Sequence, residues 1–146
     1  MKKLKIIIMA NVTGLYISQK RGIDKTSVSS VNAIENWGIE SDAHAGDWDR
    51  HVSIFPEEAM HVVPKEKREE VQKGGFTENI TIAGLSLTQL CIGAVISIGT
   101  VKIKILYIGK EIYKEYGRSY IVSREGRFGV VMASGTISLG DSVIFA

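Results

Sequence analysis

The chain has 146 residues, 45% hydrophobic and 23% charged, a balance that fits one folded domain and argues against disorder. Its 18 Lys and Arg against 16 Asp and Glu leave a formal charge of +2, so no whole-chain field favours nucleic acid or an anionic lipid surface. A single Cys excludes an internal disulfide and a Cys-rich zinc site.

The first predicted strand covers residues 5–9, where Ile6, Ile7, Ile8 and Met9 follow Lys2, Lys3 and Lys5. That charge order hints at an export signal. The apolar run is shorter than the roughly 7–15 residues such a signal uses, and no stretch reaches the roughly 20 residues of a membrane helix. The expectation is a soluble cytoplasmic protein with no membrane partner. Further β-branched runs occupy 28–34 and 52–55. Residues 92–98 form another, bounded by Gly99, and 101–105 alternates apolar and charged residues at period two, as a half-buried strand requires. Residues 119–122, 129–132 and 142–145 complete the series. About eight short strands with Gly-rich turns predict an all-β barrel or sandwich.

Residues 57–73 break the pattern, with Met60, Val63 and Val71 spaced more like a helix face among Glu, Lys and Arg. Pro56 suits a first helical turn, Pro64 should break or kink the segment, and Gly74 and Gly75 end it. One or two short helices capping an end of the barrel are expected, with the charges as a solvated face. Two segments share an apolar-Gly-x-x-apolar pattern, Ile92-Gly93-Ala94-Val95-Ile96 and Leu139-Gly140-Asp141-Ser142-Val143, which predicts one turn-into-strand geometry used twice. No linker divides the chain, so residues 1–146 are read as one domain.

Three polar clusters could carry chemistry. In residues 38–51, small residues at Ala43, Ala45 and Gly46 allow tight turns that leave Asp42 and His44 able to face a cavity. Asp42, His44, Asp47, Asp49 and His51 could in principle ligate a metal, but their spacing matches no established zinc or calcium loop. A turn-rich loop bonding its own backbone is the plainer alternative. In residues 76–84, the Asn79 amide offers a donor and an acceptor to a ligand, or marks a turn or bulge before a strand. In residues 124–129, an extended chain puts Arg124 and Phe128 on one face and Glu125 and Arg127 on the other. A guanidinium there, with Lys110, suits a phosphate or other oxyanion. Cys91, between Leu90 and Ile92, is expected to be a buried small hydrophobe.

Together these clusters resemble the MOSC family, the domain found at the C-terminus of molybdenum-cofactor sulfurases and as small free-standing bacterial proteins. The matching residues are Gly38-Ile39-Glu40-x-Asp42-Ala43-His44-Ala45-Gly46 with Trp48 and Arg50, then Phe76-x-Glu78-Asn79-Ile80-Thr81 with Gly84. Ile108-Gly109-Lys110-Glu111, Arg124-Glu125-Gly126-x-Phe128 and Gly140-Asp141 follow in the family's order, so the resemblance runs from about residue 11 to the C-terminus. It implies a closed or partly closed β-barrel of mixed topology with a cleft. It implies association with the molybdenum cofactor (molybdopterin), a pyridoxal phosphate link through the wider family, and, in catalytic members, a cysteine that carries sulfur or contacts the metal. Counting back from Arg124, Ser123 stands at the family's Pro position and Tyr120 at its Cys position. A phenol forms no persulfide.

The function expected on these grounds is binding of an anionic pterin ligand in cofactor sulfuration, handling or delivery, without cysteine chemistry of the chain's own. Arg50, Lys110 and Arg124 would meet oxyanions, Asp42, His44 and Asn79 would hydrogen-bond the heterocycle or orient the basic groups, and Glu125 would fix an arginine. Two alternatives stay open: a molybdenum-dependent oxidoreductase or sulfurtransferase using Tyr120 or Cys91, and a non-catalytic partner of cofactor-biosynthesis proteins.

Overall fold

The computed structural model describes residues 10–20, 26–62, 65–72, 78–109 and 125–145. The expected strands at 5–9 and 119–122 lie outside them. Within the described residues the strands are β1 (Ala10–Ile17), β2 (Thr26–Ser27), β3 (Ser30–Ile34), β4 (Gly38–Ile39), β5 (Val52–Pro56), β6 (Ile80–Ala83), β7 (Val95–Ile98), β8 (Val101–Ile108), β9 (Arg127–Ala133), β10 (Gly135–Ser138) and β11 (Ser142–Phe145). A 3-10 helix (Glu57–Val62) and the helix α1 (Lys65–Gln72) lie between β5 and β6.

Seven strands close into a barrel in the order β11-β7-β8-β9-β5-β6-β1, with β1 pairing back to β11 and β2 extending from β1. A separate three-stranded sheet has the order β10-β3-β4. Among the described strands β5 and β6 form the one parallel pair, with Ile54 opposite Ile80; the others are antiparallel, so the barrel is mixed. That pair accounts for the helical interruption. Parallel neighbours cannot be joined by a hairpin and need a crossover of a dozen or more residues, which the segment after Pro56 supplies. Pro56 ends β5 rather than opening the helix, which begins at Glu57.

The interior follows from period-two alternation. Ile80 and Ile82, Ile96 and Ile98, and Val101, Ile103 and Ile105 all point inward and are fully buried, whereas Lys102 points to solvent. Each such Ile contributes about 1.5–3 kcal/mol by leaving water. Leu90, from the turn after β6, is fully buried in the same core. A second apolar cluster joins Phe55, Ala59 and Phe128, with Tyr16, Met60, Leu87 and Tyr107 packed against it. Phe55 faces away from the core residue Ile54, so the 3-10 helix, through Ala59, covers the outer side of the wall rather than stoppering the barrel's end.

The paired Gly motifs adopt one geometry, as expected. The Ala94 amide donates to the Cys91 carbonyl at 3.0 Å, and the Asp141 amide to the Ser138 carbonyl at 3.1 Å. The third turn residues, Gly93 and Gly140, have φ of 92° and 86°. A turn with positive φ at that place favours Gly. The strands the two turns feed, β7 and β11, are neighbours, with Val143 opposite Ile98.

Cys91 departs from expectation: it is exposed. Leu90 takes the interior position, and Cys91 starts the turn that leaves the core.

Candidate functional site

The loop after β4 is organised by Asp42. Its Oδ1 accepts the Ser18 amide at 2.9 Å and its Oδ2 the His44 amide at 3.0 Å, while the Ala43 amide donates to the Ser18 carbonyl at 2.7 Å. These bonds staple the loop to the chain leaving β1. Asp42 is therefore a buried anchor that bonds backbone, not a side chain open to a cavity. It also aims His44, whose Nδ1 lies 3.4 Å from Oδ2.

The next residues lie on the barrel wall. The Trp48 indole donates to the His44 carbonyl at 2.7 Å, and the Tyr107 hydroxyl donates to the Asp49 carboxylate. That hydrogen bond, chiefly, holds the Tyr107 phenol above its usual range. Arg50 then stacks its guanidinium over Tyr107 and Phe128, with 4.3 and 4.8 Å from its central carbon to the ring centroids. These rings are adjacent because β8 and β9 pair Tyr107 with Phe128. Aromatic faces attract a cation and fix its plane. Arg50 Nη1 is buried there, with no hydrogen-bond partner among the described residues.

His51 turns inward instead. Its Nδ1 accepts the Val131 amide at 3.4 Å, and burial pushes its pKa below the usual histidine value. Below a pH of about 6.5, but above the depressed folded value, the unfolded chain binds more protons than the folded one. Stability should therefore fall as pH drops through that window. Urea unfolding at a series of pH values checks this: His51→Gln should flatten the slope, and an unchanged slope would reject the assignment.

Asn79 is also committed to the fold. Its Oδ1 accepts the Ser53 amide at 3.1 Å and the Ser53 hydroxyl at 3.3 Å, and its Nδ2 donates to the Tyr16 carbonyl at 3.3 Å. At 1% exposure it ties β5 to β1 at the start of β6, and its amide edge is spent on protein. Asn79→Ala should cost about 1–3 kcal/mol by stranding buried groups, measurable by thermal unfolding; an unchanged midpoint would contradict that role.

Glu125 meets Arg127, as the shared face implies: Arg127 Nη1 donates to its carbonyl at 2.6 Å and its carboxylate at 3.2 Å. Lys110, Arg124 and Tyr120 lie outside the described residues. Among the described residues no three His, Cys, Asp or Glu side chains are grouped as a metal ion would need.

Sequence reasoning missed the aromatic platform, because pairing across strands, not spacing along the chain, brings Tyr107 and Phe128 to Arg50. It also missed a pocket of about 350 Å³ bordered by Thr13, Tyr16, Phe55, Glu57, Met60, His61 and Thr81. Tyr16 reaches it by lying across the bare backbone of Gly14, where an added Cβ would meet its ring at 2.8 Å. Burial, then the Glu57 and Glu78 carboxylates, raise the pKa of the Tyr16 phenol.

Fold and site together define a small closed β-barrel that holds a half-buried guanidinium on its outer wall. Residues 41–107 match the family model of the MOSC domain. Among solved structures it is similar to the YuaD protein from Bacillus subtilis, with a TM-score of 0.68, 16% identity, and 92% of this chain and 94% of that one covered. It is also similar to YiiM from Geobacillus stearothermophilus, at 0.65 and 17% over 94% and 75% of the two chains. YiiM from Escherichia coli gives 0.64 and 19% over 96% and 70%. At these identities the likeness concerns the fold. The curated proteins contain no match.

Proposed function

We propose that this MOSC-type domain binds an anionic pterin ligand, the molybdenum cofactor or a precursor of it, in handling or delivery of that cofactor, without a cysteine persulfide of its own. The observation that carries this reading is Arg50 Nη1, buried on an aromatic platform with no partner among the described residues. A buried donor on a charged group is costly when unpaired, and an oxyanion supplies the missing acceptor with a charge-assisted bond. The residues present thus fit the phosphate end of such a group. His44, held beside Asp42, is the side chain that would meet the heterocycle. Lys110 and Arg124 are further oxyanion contacts on the strength of the family resemblance. When bound, the cofactor supplies the molybdenum centre and its redox chemistry. In the described residues no helix is long and apolar enough to cross a membrane; the cytoplasm, where such cofactors are handled, is the proposed location.

The test is the molybdenum content and oxidised-pterin fluorescence of protein purified from cofactor-producing cells. Arg50→Ala should lower both by about tenfold or more, the equivalent of one charge-assisted hydrogen bond, while Arg50→Lys retains part. Wild-type content in Arg50→Ala would remove the assignment.

The exposure of Cys91 favours a second reading, sulfur or molybdenum chemistry at that thiol. Reduction of an N-hydroxylated substrate by cofactor-loaded protein, lost in Cys91→Ala, would support it. Activity unchanged in both Cys91→Ala and Tyr120→Phe would exclude both side chains.

A further inference from the structure

The pocket between the outer face of β1 and the 3-10 helix differs in chemistry from the Arg50 platform. Its described lining contains a carboxylate, Glu57, two aromatic rings, Tyr16 and Phe55, the hydroxyls of Thr13 and Thr81, Met60 and the imidazole of His61, with no Lys or Arg. Thr81 is 5% exposed, and its buried hydroxyl is a hydrogen-bonding neighbour of the Tyr16 phenol. It stands on β6 opposite Gly14, the residue beneath the Tyr16 ring, and borders the pocket. A hydroxyl engaged by one neighbour still has a lone pair to accept a ligand's donor. Two carboxylates act here, since both Glu57 and the fully buried Glu78 lie near enough to Tyr16 to oppose its ionisation.

We infer that this pocket is a second binding site, for a small flat organic cation of the amidinium or guanidinium type. Such a cation gives two parallel N–H bonds to the Glu57 carboxylate, lies against the Tyr16 and Phe55 rings, and offers a further N–H to Thr81 Oγ1. The volume, about 350 Å³, suits a ligand of one ring and one charged group. An anionic pterin is refused by the same carboxylates, so the two sites sort ligands by sign.

The test uses benzamidine with its neutral and anionic analogues, benzamide and benzoate, titrated into the full chain at one fixed pH. Calorimetry gives affinity, and backbone amide shifts give location. Benzamidine should bind at least about tenfold more tightly than benzamide, with shifts centred on Thr13, Tyr16 and Thr81. Glu57→Gln should remove that preference. Thr81→Val should weaken binding several-fold while Thr81→Ser preserves it, and Met60→Trp should block the pocket. Equal affinity for all three probes, shifts centred elsewhere, or no benzamidine binding into the millimolar range would overturn the inference. The readout is independent of molybdenum and pterin content, so this site and the Arg50 site fail separately.

Discussion

Gly129→Ala is expected to destabilise the protein by about 3 kcal/mol, at the upper end for overpacking. Gly129 lies in β9 between β5 and β8, opposite Val52 on one side and Ile105 on the other. An added Cβ would stand 2.1 Å from the Lys104 carbonyl oxygen and 3.0 Å from its carbon. Both atoms are backbone of the adjoining strand, so no rotamer change relieves the collision and β8 itself must move. That movement would also disturb Tyr107 and Phe128, the rings that carry Arg50. For a chain of this length the loss corresponds to a fall of roughly 6–12 °C in Tm. A Tm within a degree or two of wild type would show that the strands do not approach as described.

Arg127→Met should be of similar or greater consequence, about 3–5 kcal/mol, because it removes a buried charge that several elements share. The side chain is 2% exposed. Its Nε donates to the Leu90 carbonyl at 3.0 Å and its Nη2 to the Leu87 carbonyl at 2.9 Å, while Nη1 serves Glu125. One guanidinium thus fixes the turn that delivers Leu90 to the core and Leu87 to the outer cluster. Met keeps most of the volume but leaves those carbonyls without donors. Arg127→Lys should rescue little, since an ammonium cannot span the same three carbonyls. Urea unfolding measures the loss, and amide exchange around residues 86–90 should rise in parallel. An unaltered urea midpoint would mean the network is dispensable.

The strands with clean alternation were readable from the sequence, because Val101, Ile103 and Ile105 leave no doubt about which side is buried. β1 was not, since a register shift between Val12 and Gly14 lets both Val12 and Leu15 face the core and hides the period. β10 contains one large apolar residue, Ile137, too little for a pattern although that residue is fully buried. At the site, residue types were legible and their duties less so. Asp42 and Asn79 have the donors and acceptors a ligand would use, yet local backbone groups take them first. Arg50 stood in the sequence as one basic residue among several. The stacking that distinguishes it depends on two rings more than 50 residues away in the chain, a relation that only strand pairing creates.

The most direct measurement is a crystal structure of the protein purified from cofactor-producing cells. A pterin phosphate oxygen should lie about 3 Å from Arg50 Nη1, with the guanidinium still flat on Tyr107 and Phe128. A phosphate bound elsewhere, with Nη1 satisfied by a protein carbonyl or carboxylate, would contradict the role given to Arg50.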